Sequence, residues 1–393
     1  MTGTRNSWTG RLELTARHPR GGYLPVAPDR SPNLAKEEPL AMNVRHDRLT
    51  RLVSTIFAAA GCREHEAERI GHYLVEANLV GHDSHGVIRV LPYVRWLADG
   101  KVVPNQTLQV VFENEVLALT DGRFGFGQVM GEEAMQLGLA KVNKQGVAVV
   151  GLRNSGHLGR IGDWALMAAR ANKLALHFVN TSGGGILAAP FGGTSRRLSA
   201  NPIAAAVPVK NGPPILLDIS TCAIAEGKVR VAFNKGVSVP DNCLLDGQGR
   251  PTNDPKAFYA NPPGAILPFG AHKGYGLSII VEMLAGALTG GSCSNPQTRH
   301  VANNMLTILM DPAAFQEYED FAREVERFIA FVKTSDKAAP GGDILMPGEI
   351  EERTKERRLR DGIELDDNTW QQIIEACQSL SIFQSSIDSI VRG

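Results

Sequence analysis

From about residue 108 to about residue 300 the chain loses helical periodicity. It is written instead in short aliphatic runs, VAVVGL (147–152), LALHFVN (174–180) and PILLDIS (214–220), separated by Gly, Pro, Asn and Ser clusters. Helical spacing dominates on both sides. Before the switch, Leu49, Leu52, Val53, Ile56 and Phe57 recur on one helical face after a regular pattern that begins at Met42. A second helix is expected from Glu64 to Leu79, and a third from near Ser84 to Asp99-Gly100, with Pro92 in its first turn or at a kink. After about residue 303 helices return: a charged one near Phe315 to Phe331, one from Glu349 to Arg360 after a Pro/Gly linker, and one after Asp366-Asp367-Asn368. A sheet domain framed by helices from both chain ends limits the fold to a mixed α/β (α+β) class.

The remaining bounds come from composition. The 393 residues are 43% hydrophobic and 21% charged, enough for a large core. Forty-one basic residues balance forty-one acidic ones, so no broad field draws in nucleic acid or anionic lipid. Five dispersed cysteines without CxxC spacing argue against a disulfide framework or zinc ribbon and fit a reducing compartment, the cytoplasm. The most apolar run, Leu277 to Leu288, is too short for a membrane span and carries Glu282. Residues 1 to 42 hold prolines and arginines with little periodicity and are read as a disordered extension.

One segment imitates a dinucleotide fingerprint. In EVLALTDGRFGFGQVMGEEAMQLGLA a strand, a glycine loop and a helix follow one another, but Gly125, Gly127 and Gly131 are spaced GxGxxxG. That is one residue longer than the Rossmann pattern, and no acid stands about 20 residues on to hold a ribose. A tight turn entering a helix is the better reading.

The chemistry concentrates elsewhere. GHDSHGVIR (81–89) sets His85 and Arg89 four residues apart, on one face if a helix starts at Ser84. A planar cation to grip a carboxylate and a histidine to serve a developing alkoxide are what a 2-oxo acid requires. Ser84 would touch the substrate or cap the helix; a capped helix start with solvated His82 and Asp83 is the plainer alternative. GLRNSGHLGRIGDWA (151–165) is a second polar focus, where His157 either meets substrate or satisfies a buried carbonyl. VNTSGGG, with Asn180 and Thr181, and SANP, with Asn201-Pro202, offer backbone amides for a phosphate or a flat ring, or simple hairpin turns. PILLDIS presents Asp218, suited to orienting a histidine, followed by Ser220 or Thr221 as the cap of a helix in STCAIAEGK. In AHKGYG, Lys273 opens an apolar helix, where a cation opposes the helix dipole.

Taken together, GHDSHGVIRVLPYV, LRNSGHLGRIGDWA, the NP of SANPIAAAVP, PILLDIST with AIAEGK, AHKGYG and LMPGE (345–349) resemble the malate/L-lactate dehydrogenase family that lacks a Rossmann fold. That family also holds sulfolactate, ureidoglycolate, diketogulonate and piperideine-2-carboxylate oxidoreductases, and the chain looks most like its bacterial hydroxycarboxylate dehydrogenases. The resemblance implies a central, mostly antiparallel sheet domain (121–302) binding NAD or NADP, an N-terminal helical region (43–120) with the catalytic histidine, a C-terminal helical region (303–393) packed on it, and a homodimer. It makes His85 the proton donor, Arg89 the carboxylate clamp and His157 a substrate contact. Cofactor contacts would fall on Pro214, Ile215, Leu216, Leu217, Asp218, Ile219 and Ser220, on His272 and Lys273, and on Pro347, Gly348 and Glu349. Asp218 is expected to hold His85 or balance its charge. The expected reaction interconverts a 2-hydroxy acid and its 2-oxo acid without a metal. A reductase of cyclic imino acids or of ureidoglycolate-type substrates, a metal-dependent hydrolase built on His82, Asp83, His85, His157, Asp218 and His272, and a non-catalytic binding protein are the competing readings.

Overall fold

The structure is a computed structural model whose described residues are 42–298, 300, 302–338 and 341–392. The proposed extension therefore lies outside the described residues, apart from Met42. That residue does not begin a helix. Met42–Val44 form a strand, β1, antiparallel to β12 (Ile363–Leu365), with Met42 opposite Leu365. Arg45 is still extended, and helix α1 begins at His46.

Helices α1 (His46–Ala59) and α2 (Glu64–Leu79) bury the apolar faces expected of them, Leu49, Leu52, Val53, Ile56 and Phe57 from the first and Ile70, Leu74 and Val75 from the second. They cross closely because position 71 is glycine: a Cβ there would stand 2.4 Å from Ser54 Oγ. Helix α3 (Val90–Ala98) holds Pro92 in its first turn, where the missing N–H costs nothing.

The main sheet has seven strands in the order β2 (Gln109–Glu113), β3 (Leu117–Asp121), β4 (Val147–Ser155), β11 (Ala302–Met310), β5 (Leu174–Ser182), β6 (Ile203–Val207), β7 (Ile215–Ile219). Every adjacent pair is antiparallel except β3 with β4. This corrects two boundaries. The expected helical regions 43–120 and 303–393 contain β2, β3 and β11, and β11 lies between β4 and β5. Helices α4 (Gly127–Gln145) and α5 (Gly162–Arg170) pack on the sheet, as do α8 (His272–Val281) and the π-helical stretch Glu282–Ala287 that continues it. A strand buried nearly throughout shows no alternation of apolar and polar residues, which hid β11.

The strand directions place the site. Strands β3, β4, β5 and β7 run the same way, so the loops after Asp121, Ser155, Ser182 and Ile219 rise from one edge. Beyond β7, helix α6 (Glu226–Lys235), α7 (Pro255–Tyr259) and the small sheet of β8 (Leu244–Leu245), β9 (Pro251–Thr252) and β10 (Ala265–Ile266) enclose a separate core around Val229, Leu244 and Phe258. Helices α9 (Tyr318–Lys333), α10 (Glu349–Asp361), α11 (Asp367–Ser379) and α12 (Gln384–Arg392) complete the chain, with α10, α11 and α12 packed on α2, α3 and α1.

Candidate active site

GHDSHGVIR is not a helix start. Asp83–His85 and Val87–Arg89 are two separate 3₁₀ turns with Gly86 extended between them (φ −86°, ψ −150°). The buried side chain of Asn78 separates them: its Oδ1 accepts the Val87 N–H at 2.8 Å and its Nδ2 donates to Asp83 Oδ1 at 2.6 Å. A Cβ at position 86 would strike Asn78 Oδ1 at 2.2 Å, so only glycine fits. From α10, Arg358 binds Asp83 (2.7 and 3.1 Å) and the Asn78 carbonyl, and Glu351 faces His82 at 3.4 Å. His82 and Asp83 thus tie the turn to the C-terminal region.

His85 and Arg89 still come together, by a different route. Arg89 folds back so that its Nε donates to the Ser84 carbonyl at 2.7 Å, and among the described residues its two terminal nitrogens have no hydrogen-bond partner. Ser84 Oγ lies 3.1 Å from His85 Nδ1. Burial, with the Arg89 and Arg160 cations nearby, pushes His85 down to about 3, so the free ring is neutral at neutral pH.

The loop after β4 brings in the second histidine. The His85 and His157 rings are stacked, 5.6 Å between centroids and 7° apart in plane. Burial, Arg89 and His85 hold His157 well below the ordinary histidine range. Its Nδ1 meets Tyr93 Oη at 2.6 Å, and Gln128 Nε2 donates to the same oxygen at 3.3 Å. Asparagines of β11 fix the loop backbone, Asn303 Oδ1 accepting from Leu158 N and Asn304 Oδ1 from Asn154 N, each at 2.9 Å. The glycines of GFGQVMG explain the false fingerprint. A Cβ at Gly127 would meet the His157 carbonyl oxygen at 2.2 Å, and one at Gly131 the Trp164 ring at 2.7 Å, so the glycines serve packing and the start of α4 is covered by protein.

Asp218 is not the partner of His85. Its Oδ2 accepts the Gly162 N–H at 2.8 Å at the N-terminus of α5 and lies 3.9 Å from Arg160 Nε. A carboxylate at the end of β7 reaches the helix that starts beside it, whose positive end suits it. Arg160, 1% exposed in its side chain, bonds Asp163 at 2.7 Å, and its Nε and Nη2 have no hydrogen-bond partner among the described residues. Burial pushes the Asp163 carboxyl up to about 6 against the Arg160 cation.

Ser220 and Thr221 do not cap α6. Ser220 Oγ accepts from Cys222 N, Thr221 Oγ1 donates to the Ala200 carbonyl, and α6 starts at Glu226. The segment between them carries α6 to the first motif, for a Cβ at Gly227 would lie 2.7 Å from Ser84 Cβ. It also runs beside the start of α8, where Phe269 N donates to the Thr221 carbonyl and His272 and Lys273 are exposed. Leu216 N donates to the Pro347 carbonyl at 2.9 Å, and Gly348 turns against Leu216 with φ +99°. Three of the four expected cofactor segments thus meet around β7, the exception being Asn180 and Thr181. A cleft of about 280 Å³ between β7 and α9 is lined by Val209, Pro214, Ile215, Lys333, Pro347 and Glu349.

Asn180 points elsewhere. Its Nδ2 donates to Glu282 Oε2 at 2.8 Å and its Oδ1 accepts from Asn304 at 2.9 Å, while Thr181 Oγ1 accepts from Asn303. Glu282, 2% exposed, also accepts from Asn201 at 2.9 Å and from Ser294 N and Oγ at 2.9 and 2.6 Å. This network supports the ends of β5 and β11. Its signal in the sequence was one acid inside an apolar run. Tyr93, Gln128 and Arg160 carried no signal of their own, because each acts through contacts distant in sequence.

Residues 44–374 match the family model for malate/L-lactate dehydrogenase. The chain belongs to that family. It is 39% identical to hydroxycarboxylate dehydrogenase B of Escherichia coli O157:H7 over 87% of this chain and 95% of that protein. It is 36% identical to L-lactate dehydrogenase of Cupriavidus necator over 84% and 96%. The solved structure of sulfolactate dehydrogenase from Methanocaldococcus jannaschii superposes with a TM-score of 0.78 at 34% identity, covering 88% of this chain and 99% of that one. Among the described residues no helix is long and apolar enough to cross a membrane, and no three His, Cys, Asp or Glu side chains converge as metal ligands.

Proposed function

We propose that this chain is an NAD- or NADP-dependent dehydrogenase interconverting 2-hydroxy acids and 2-oxo acids, with His85 moving the proton and Arg89 binding the carboxylate. One observation carries the reading: a neutral histidine and an arginine with a free guanidinium edge share one braced turn beside a second histidine. The names of the relatives, acting on hydroxycarboxylates, lactate and sulfolactate, support it.

The residues around β7 fit a dinucleotide. The cleft there has proline and aliphatic walls with room for about one flat ring, and the paired Lys333 and Glu349 also line it. Pro214–Ser220, His272, Lys273 and Pro347–Glu349 would hold the cofactor, and Asn180 and Thr181 would contribute backbone only. A nicotinamide held there would supply or accept the hydride.

The chain's own groups do the rest. Arg89, with its Nε engaged, offers its terminal nitrogens as a fork for the carboxylate. His85, neutral in the free enzyme, is ready to take the hydroxyl proton of a 2-hydroxy acid. In the other direction, a carboxylate on Arg89 offsets the cation that disfavours the imidazolium, so charging of His85 follows substrate binding. Ser84 Oγ serves Nδ1 in either state, since a hydroxyl both donates and accepts. Asp218 fixes the start of α5 and through it the His157 loop.

The test is a panel of 2-oxo acids and cyclic imino acids with NADH and NADPH, followed at the nicotinamide absorbance. Turnover of 2-oxo acids is expected. Turnover of imino acids alone would reassign the substrate, and no nicotinamide turnover together with a metal found on analysis of the purified protein would support the hydrolytic alternative.

A further inference from the structure

His85 and His157 differ in their Nδ1 partners. Ser84 is a rotating hydroxyl with no other hydrogen bond among the described residues, whereas Tyr93 Oη is 1% exposed with its residue and already occupied. Gln128 Nε2 donates to the Tyr93 oxygen, which leaves the phenolic proton one acceptor, His157 Nδ1 at 2.6 Å. The reverse chain would turn the Gln128 amide and bury an NH₂ group with no acceptor. This direction leaves only Gln128 Oε1 unpaired in the chain among the described residues, and an orphan carbonyl is the commoner and cheaper defect.

We propose that Gln128 and Tyr93 hold His157 in its Nε2–H tautomer, making it a fixed hydrogen-bond donor to the substrate and leaving proton transfer to His85 alone. The proposal deepens the dehydrogenase reading and rests on it for the substrate. Burial pushes Tyr93 up to about 12, so the phenol keeps its proton across the neutral range. Two stacked imidazoles facing one substrate would otherwise compete for its proton. With Nδ1 committed as acceptor, His157 offers only N–H to an oxo or carboxylate oxygen. Gln128 and Tyr93 are therefore positioning residues, acting through His157.

The experiment uses full-length enzyme labelled with ¹⁵N-histidine, the His157 ring assigned by its loss in His157→Gln. Long-range ¹H–¹⁵N correlation should show a single neutral tautomer protonated at Nε2 near pH 7. An Nδ1-protonated ring in the parent would overturn the proposal. Tyr93→Phe keeps the ring in the core and removes the lock. Both tautomers should then appear, with 2-oxo acid turnover down about tenfold, short of the ~10²- to 10³-fold cost of losing a donor outright, and NADH affinity unchanged. A Tyr93→Phe enzyme with the single Nε2–H tautomer and normal turnover would also overturn it. The tautomer is read on the free enzyme, so failure of the parent to reduce any 2-oxo acid would remove the reaction without touching the ring assignment.

Discussion

The two site histidines stack in parallel planes but are held in opposite ways. His85 stands on a short turn braced by side chains: Asn78 from the preceding helix and Arg358 from α10. His157 stands on a loop braced from beneath, by β11 asparagines on its backbone, Tyr93 on its ring and the buried Arg160–Asp163 pair at its end. The first segment leaves its histidine a rotating partner, and the second leaves its histidine none. Proton transfer needs a group that changes state, and substrate orientation needs one that does not.

The largest effect on stability should come from breaking the deeper support. Arg160→Met would leave Asp163 and Asp218 facing the same buried space without their cation, and removing one partner of such a group costs about 3–5 kcal/mol. Urea unfolding measures it. A loss under about 1 kcal/mol would mean that the loop does not depend on this group.

Next comes the chemical asymmetry. His85→Asn should lower turnover by roughly 10²-fold or more, with cofactor affinity and melting temperature near the parent's. Near-normal turnover at neutral pH would move the proton to His157.

A buried histidine outside the site sharpens the contrast. His177, on β5, bonds Thr307 Oγ1 at 2.9 Å through Nδ1, and its Nε2 has no hydrogen-bond partner among the described residues; burial pushes it down to about 3. The unfolded chain binds this proton near pH 6.5 and the folded chain only near 3, so stability rises with pH between those values and is lost as pH falls from 6.5 toward 3. Each such ring contributes a slope of up to about 1.4 kcal/mol per pH unit, while Asp163, held up at about 6, acts in the opposite sense between 3.8 and 6. His177→Asn should flatten the acid limb by about one ring's slope and leave turnover unchanged. An unchanged acid limb would show that the ring titrates freely in the folded chain.

The smallest effect belongs to the outer brace. Asp83 is about half exposed, and Asp83→Ala should cost about 1 kcal/mol or less in stability, with a loss of a few-fold in kcat/KM as the turn loosens.

These regions also differ in what the sequence disclosed. GHDSHGVIR was legible because its parts lie within nine residues, and the helix, sheet, helix order was legible from periodicity. The 3₁₀ geometry was not, because it depends on Asn78, which reads as an ordinary helix residue. Nor was the role of Asp218, since its target is a backbone N–H that sits nearby only once β7 is docked against α5. Strand β11 escaped because burial along nearly its whole length erases alternation, and Met42 was taken for helix because three residues of strand show no period.

The central claim is that the turn carrying His85 also binds the substrate carboxylate through Arg89, and comparing Arg89→Lys with Arg89→Met tests it most directly. A lysine is a point charge without a planar fork, so both variants should lose about 2–5 kcal/mol in kcat/KM for every 2-oxo acid while NADH affinity stays within a few-fold of the parent. A near-normal lysine variant beside a methionine variant that loses thermal stability and cofactor affinity together would contradict it, and Arg89 would then be no more than the residue that ties itself to the Ser84 carbonyl.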